Sequence, residues 1–329
     1  MTKLPTIVDI YRAHKRIRPL AWKTPLVSSP ELARQTRAEG VFLKLDNLQN
    51  SGSFKLRGAT NKLLSLSQED QEKGVITFST GNHGKAVAYV AGKIGIKAVV
   101  CLSEHVAGWR AGLIRDLGAE VSVRGHSQDE AEENYHQLKE QQGYIPVVPF
   151  DDPMIIAGQG TLFVEIMEEL PDVDVLIVQV SGGGLAAGVA LAAKSINPGI
   201  HVVGISLERS PAMLESLRAG RPVAVEEKDS IADSLLGGIG VENHYTLPLL
   251  EQHVDSHVLI SEEEIKQGIY YAFDVHKMIV EGAAAVGIAA MLSGKIDVKG
   301  KKAVTLLTGC GIDTAKALNI ITELVQCKT

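Results

Sequence analysis

Residues 173–196 read VDVLIVQVSGGGLAAGVALAAKSI. Val173–Val180 is a short β-branched apolar run, and Leu185–Ile196 is a helical run rich in alanine and leucine. Between them stands a turn of one serine and three glycines, Ser181–Gly184. A strand that passes through such a turn straight into a helix is the opening of a β-α-β unit. Glycines let backbone N–H groups approach an anion, and the following helix directs its positive end toward the same point. Ser181–Leu185 therefore reads as a phosphate cradle. The plainer reading is a tight turn without a ligand, and three successive glycines count against it.

The same pattern occurs twice more. Val75–Phe78 leads into STGNHG (79–84) and a helical stretch Lys85–Ile94, and Ala303–Leu307 leads into TGCG (308–311) and a further helix. Strands are also expected at Val41–Leu45, Ala98–Leu102, Val121–Val123 and Val202–Ser206. Strands alternating with helices indicate an α/β fold of parallel sheets flanked by helices. Open α/β sheets bind ligands beyond the carboxyl ends of their strands, where these three glycine-rich turns lie.

Composition bounds the function. The chain has 329 residues, 45% hydrophobic and 22% charged, which suits a two-lobed globular protein. Its net charge of −6, from 33 basic and 39 acidic side chains, offers no basic stripe, so no nucleic acid is expected. Glu226-Glu227 and Glu262–Glu264 read as solvated faces. Met1–Arg18 has no uninterrupted apolar segment, and no signal peptide is expected. Leu185–Ala193 is interrupted by Gly188 and stopped by Lys194, too short for a bilayer, so no membrane partner is expected. Cys101, Cys310 and Cys327 lack metal-binding spacing and read as reduced thiols of a cytoplasmic protein.

Lys55 carries the most chemistry. It lies between Phe54 and Leu56 in NSGSFKLRGA (50–59), with turn formers before it and helix formers after it. An amine brought against an apolar pocket has a lowered pKa and becomes a nucleophile toward carbonyls. The competing reading is an exposed lysine on a first helical turn. Ser79–Gly84 gathers hydroxyls, backbone N–H groups, an amide and an imidazole, a set that can grip a carboxylate. Asn82 can hydrogen-bond a phenolic oxygen. His83 is the obvious catalytic base, but a histidine at a helix start is more often a packing or capping group. The Thr308 hydroxyl can meet a ring nitrogen. Cys310 beside it has no recognisable paired base and reads as structural. Another class stays open. Gly182, Gly184 and Ala187 fit G-x-G-x-x-A, with Glu208 at the end of the next strand for a ribose, as in a nicotinamide-dependent oxidoreductase. That reading leaves Lys55 and Asn82 without roles.

The stretches SGSFKLRGA (51–59), STGNHGKA (79–86), QGT (159–161), SGGGLAAG (181–188), EGAAAVG (281–287) and LLTGCG (306–311) together resemble the fold-type II pyridoxal phosphate (PLP) enzymes. The likeness is to their threonine/serine dehydratase and serine racemase family, and it covers nearly the whole chain. It implies a two-domain α/β fold like that of the tryptophan synthase β subunit. Residues 50–146 would form a small domain, and 1–49 with 147–329 the large PLP-binding domain. It implies that Lys55 holds PLP as a Schiff base and then shuttles the Cα proton. Phe54 would pack beside the ring and Asn82 would meet its 3-oxygen. Gly182, Gly183, Gly184 and Leu185 would bind the phosphate. Thr308 would face the pyridine nitrogen, where the family usually has serine. Ser79, Thr80, Gly81 and His83 would take the substrate carboxylate. A neutral hydroxyl partner does not force protonation of that nitrogen, which weakens the electron sink and favours expulsion of a β-leaving group. The implied activity is loss of the β-hydroxyl of a threonine- or serine-like amino acid, giving a 2-oxo acid and ammonia, in a homodimer.

Several positions depart from the family. Thr80 stands where serine racemases carry serine and many dehydratases carry alanine, so its hydroxyl, as a second base, keeps amino-acid racemisation open. Glu208, Ala212 and Leu214 match the cation site of some relatives, but leucine supplies no charged oxygen, and no metal is expected. The chain ends soon after Thr308, so a C-terminal regulatory domain and isoleucine feedback are not expected. GISLERSPAM (204–213) and VEEKDSIADSLLGGIG (225–240) are similar to hydroxyectoine-utilisation dehydratases.

Overall fold

Two sheets organise the chain in a computed structural model that describes residues 3–79, 81–104, 108–125 and 128–326. The strands are β1 (Leu26–Ser28), β2 (Gly40–Lys44), β3 (Val75–Phe78), β4 (Ala98–Leu102), β5 (Glu120–Val123), β6 (Ile145–Pro146), β7 (Val175–Gln179), β8 (His201–Leu207), β9 (Ser256–Ile260) and β10 (Lys302–Leu306). One sheet has the order β1-β2-β10-β7-β8-β9 and the other β5-β4-β3-β6. All pairings are parallel except β1 with β2. The seven strands expected from sequence are present, because strands such as β4 and β7 are buried along their whole length and so read as continuous apolar runs. The three not expected are weak signals: β1 has three residues after Pro25, β6 has two and ends on a proline, and β9 opens on polar residues.

Strand order explains where the turns meet. β10, last in the chain, inserts between β2 and β7, with Leu306 opposite Lys44 and Thr305 opposite Ile177. The turns after β10 and β7 are therefore neighbours, and the segment after β2 that leads to Lys55 leaves from the same edge. Gln179 ties the two turns by donating from Nε2 to the Leu306 carbonyl at 2.7 Å. Helix Pro153–Glu169 packs against helices Lys55–Leu63 and Gly184–Ile196 and joins the lysine segment to the glycine turn.

Glu262–Glu264 is not a bare solvated face. The three acids open helix Glu262–Asp274, where negative charge is favoured, and Glu264 closes a capping box with Ser261. Glu262 accepts from the Ser230 hydroxyl at 2.6 Å and the Ile231 amide at 2.8 Å. Among the described residues, no helix is long and apolar enough to cross a membrane.

Candidate active site

Lys55 begins helix Lys55–Leu63, with its Nζ 2.8 Å from the Pro149 carbonyl and 5.3 Å from the centre of the Phe54 ring. Lys55 is half-buried and lines the cleft. Burial pulls its pKa down to about 8, against the attraction of Glu281. Two residues on, Arg57 is fully buried and anchors the helix. It donates to Asp46 at 2.7 and 2.8 Å and to Glu165 at 2.6 and 2.8 Å. Lys44 completes the cluster, 2.8 Å from Glu165 and 2.5 Å from the Thr24 carbonyl.

The glycine turn is shaped by close approach. Gly183 caps helix Gly184–Ile196 at φ +89°, a conformation that favours glycine. A Cβ there would lie 2.8 Å from Met213 Cε and 2.9 Å from Thr246 Cβ, and one on Gly182 or Gly184 would run into Phe150. The first amides of that helix have no intrahelical acceptor and can meet an anion. The lysine segment is joined to the third turn directly, through a bridge between Ser53 and Gly309 and a 2.9 Å bond from the Phe54 amide to the Thr308 carbonyl.

Lys55, Asn82, Gly183 and Thr308 all line one cleft of about 520 Å³ between the two sheets. Phe54, Gly182, Gly184 and Leu185 line it too, as do Ser79, Gly81 and His83 from the turn after β3. Thr80 lies outside the described residues. His83 is buried, its Nε2 2.9 Å from the Val147 carbonyl. Burial, aided by Lys55, pushes its pKa down to about 3, so it meets any ligand as a neutral group. Cys310 is exposed as a residue, but its thiol, 3.5 Å from the Gly52 carbonyl, is partly desolvated, which raises its pKa and keeps it protonated at neutral pH. Glu208 is 3.1 Å from Lys295 and is not among the residues lining the cleft, which removes the ribose partner from the dinucleotide reading. A second hollow of about 470 Å³, beside Glu31, Tyr271 and Asp274, gathers none of the motifs.

Sequence reasoning missed several lining residues. Glu281, which opens the EGAAAVG stretch, is buried and accepts from Asn82 Nδ2 at 2.8 and 3.0 Å. Burial raises its pKa, and the Asn82 bond partly draws it back. Phe150 had no local signal. Arg110 and Asp233 approach to 3.3 Å as an ion pair spanning the cleft, and Glu227, expected on a solvated face, also lines it.

A family model described as pyridoxal-phosphate dependent enzyme matches residues 17–309. A Sinorhizobium fredii protein provisionally assigned as a threonine dehydratase is 44% identical over 98% of this chain and 96% of its own length. The L-threonine ammonia-lyase of Thermotoga maritima is 42% identical over 98% of this chain and 78% of its own length. Among solved structures, maize serine racemase superposes with a TM-score of 0.91 at 29% identity, covering 99% of both chains.

Proposed function

The chain belongs to the pyridoxal-phosphate dependent enzyme family, and from that premise we propose that it is an ammonia-lyase acting on a threonine- or serine-like β-hydroxyamino acid. The observation that carries the reading is the convergence of Lys55, the glycine turn, Asn82 and Thr308 on one cleft. Their chemistry fits the cofactor: a partly neutral amine for its carbonyl, free helix amides for its phosphate, an amide for its ring oxygen and a hydroxyl for its ring nitrogen.

When bound, pyridoxal phosphate supplies an electron sink for negative charge at the substrate Cα. Lys55 would hold the cofactor through its side-chain amine, and the same amine is placed to take the substrate Cα proton. Gly182–Leu185 would hold the cofactor's phosphate. Thr308 would face the ring nitrogen as a neutral hydroxyl partner, which suits loss of a β-hydroxyl. Ser79, Thr80 and Gly81 take the substrate carboxylate beside the neutral His83. Residues 50–146 would close as one lobe over the rest of the chain and exclude water from the cleft. The products are a 2-oxo acid and ammonia. A cytoplasmic homodimer without a bound metal belongs to the same proposal.

The substrate side chain would meet the wall that includes Glu227 and Asp233–Gly237. These residues belong to the stretch 225–240 that is similar to hydroxyectoine-utilisation dehydratases, which supports a hydroxyectoine-derived amino acid as substrate. The likeness to maize serine racemase supports a second outcome, racemisation, with Thr80 as a base on the far face. Incubation with L-threonine, L-serine and hydroxyectoine-derived amino acids, following both oxo acid and D-isomer, decides. Oxo acid is expected to exceed D-isomer, because an unpartnered hydroxyl is a poor base. A D-isomer yield that rivals the oxo acid and vanishes in Thr80→Ala would make the enzyme a racemase.

The lowered pKa of Lys55 sets a pH dependence. Only the neutral amine attacks a carbonyl, so capture of pyridoxal phosphate by the apoprotein should quicken as pH rises and level off above about 8. An ordinary lysine would keep gaining to about pH 10.4. Stopped-flow absorbance of the apoprotein measures this, and a rate still climbing past pH 10 would contradict the buried amine.

A further inference from the structure

Glu281 occupies the N-cap of helix Gly282–Leu292, on the side of the six-stranded sheet, and is 3% exposed. Asn82 begins helix Asn82–Ile94, on the side of the four-stranded sheet. Their 2.8 and 3.0 Å contacts thus bridge the two sheets, between residues 199 apart in the chain. Glu281 Oε2 also accepts from the Gly311 amide at 3.0 Å, and the Glu281 amide donates to the Gly309 carbonyl at 3.1 Å. The turn after β10 is shaped around this pair. A Cβ on Gly309 would lie 2.6 Å from Glu281 Oε1, and one on Gly311 would lie 2.9 Å from both Asn82 Oδ1 and Glu281 Oε2. Both glycines of TGCG are therefore needed to admit the carboxylate and the amide together.

A carboxylate only accepts hydrogen bonds, whereas an amide presents two donors on one atom and an acceptor on the other. Against Glu281, the Asn82 side chain has one favourable orientation, with its nitrogen toward the carboxylate. A glutamine in place of Glu281 removes that constraint. If its oxygen keeps the Gly311 amide at the Oε2 position, its nitrogen takes the Oε1 position, 2.8 Å from the Asn82 nitrogen, donor against donor; only the 3.0 Å contact survives, and Asn82 gains by turning over.

We propose that Glu281 is a positioning residue of this active site, fixing the Asn82 amide so that an N–H, and not the carbonyl, is held for the ring oxygen of bound pyridoxal phosphate. This rests on the cofactor role proposed for Asn82. It gives a task to a residue that never has to touch the substrate, and it explains why the turn that carries Thr308 has glycine on both sides of Cys310.

The test uses the holoenzyme and reads the visible spectrum, cofactor affinity and kcat. Glu281→Gln should remain coloured, because Lys55 is intact, with a displaced visible band, weaker cofactor retention and a kcat lower by about 10–100-fold, by analogy with the loss of a hydrogen-bond partner behind a metal-ligating side chain. Asn82→Ala should displace the band in the same way. Adding Glu281→Gln to Asn82→Ala should then change band and kcat no further, since residues that act as one unit do not add. The swapped pair Asn82→Asp with Glu281→Gln restores a bond between the side chains with its direction reversed. It should recover the melting temperature lost in Glu281→Gln but not the wild-type band, which separates orientation from support of the fold. A wild-type band and kcat in Glu281→Gln would overturn the proposal and leave the lyase reading intact. So would an undiminished Glu281→Gln effect in the Asn82→Ala background. Should Glu281→Gln not fold, a wild-type band in the swapped pair overturns it equally. A wild-type protein that gains no visible band with pyridoxal phosphate would instead overturn the cofactor reading on which this inference stands.

Discussion

Lys55→Ala yields a colourless protein that releases no ammonia above background from any β-hydroxyamino acid. Two functions disappear with the amine, the attachment of the cofactor and the removal of the Cα proton, and proton transfer alone is commonly worth about 10²–10⁴-fold in rate. The loss should not be an effect on folding. Burial depresses the Lys55 pKa to about 8, below the ordinary lysine value near 10.5, so the folded state disfavours the ammonium. That penalty acts fully below about pH 8 and fades as pH rises toward the unfolded value. Alanine removes it at the loss of one hydrogen bond, to the Pro149 carbonyl at 2.8 Å. The Lys55→Ala apoprotein should therefore melt at or above the wild-type temperature at neutral pH. Absorbance, ammonia release and melting measured on one preparation test the argument. A coloured, active Lys55→Ala protein would refute it. A colourless variant that melts far below wild type would show that Lys55 is structural first.

What could be read from the sequence follows from local physics. β3, β7 and β10 are buried strands that lead directly into glycine-rich turns, so strand, turn and position at the sheet's carboxyl end all lie within about a dozen consecutive residues. The place of Lys55 in the cleft was legible for the same reason, through the aromatic and turn residues beside it. What was hidden depends on order in space. Nothing local says that β10 inserts between β2 and β7, yet that insertion brings Thr308 beside the glycine turn. Nothing local pairs Glu281 with Asn82 across 199 residues, although the opening of EGAAAVG marks the place. Phe150, which forces Gly182 and Gly184 to be glycine, sits in an unremarkable run after a two-residue strand. The acids at 226–227 and 262–264 look alike in sequence, but Glu227 borders the cleft whereas 262–264 open a helix.

The same limit hid Arg57, which sits in the motif beside Lys55 but whose partners lie far off in the chain. Its guanidinium and the Lys44 ammonium face the carboxylates of Asp46 and Glu165, two cations against two anions, and none of the four side chains is more than 4% exposed. Such a cluster is tolerable inside a protein only while it is balanced and its hydrogen bonds are met. Arg57→Leu leaves two buried carboxylates with a single ammonium, and breaking a buried pair in this way costs about 3–5 kcal/mol. Whole domains are stable by only about 5–15 kcal/mol, so the variant should lose a large share of its denaturant resistance. Arg57→Lys should fall between, keeping the charge while losing the flat fork that holds both carboxylates at once. The pH response has a definite sign. Although burial alone would raise it, the Asp46 pKa is held below its ordinary value, chiefly by Arg57. Its contribution is therefore present above the unfolded value near 3.9 and lost as pH falls through the lower folded value. The part of acid stability that depends on Asp46 should shrink in Arg57→Leu. Because the cluster excludes water, moderate salt should not reproduce the mutant's instability. Urea midpoints for wild type, Arg57→Lys and Arg57→Leu at two salt concentrations measure all of this, and an Arg57→Leu midpoint equal to that of wild type would sink it. Since Arg57 lies one half-turn beyond Lys55 on the same helix, the surviving folded fraction of Arg57→Leu should also retain pyridoxal phosphate less firmly, and a normal cofactor affinity would mean that the cluster supports the fold without aiming the amine.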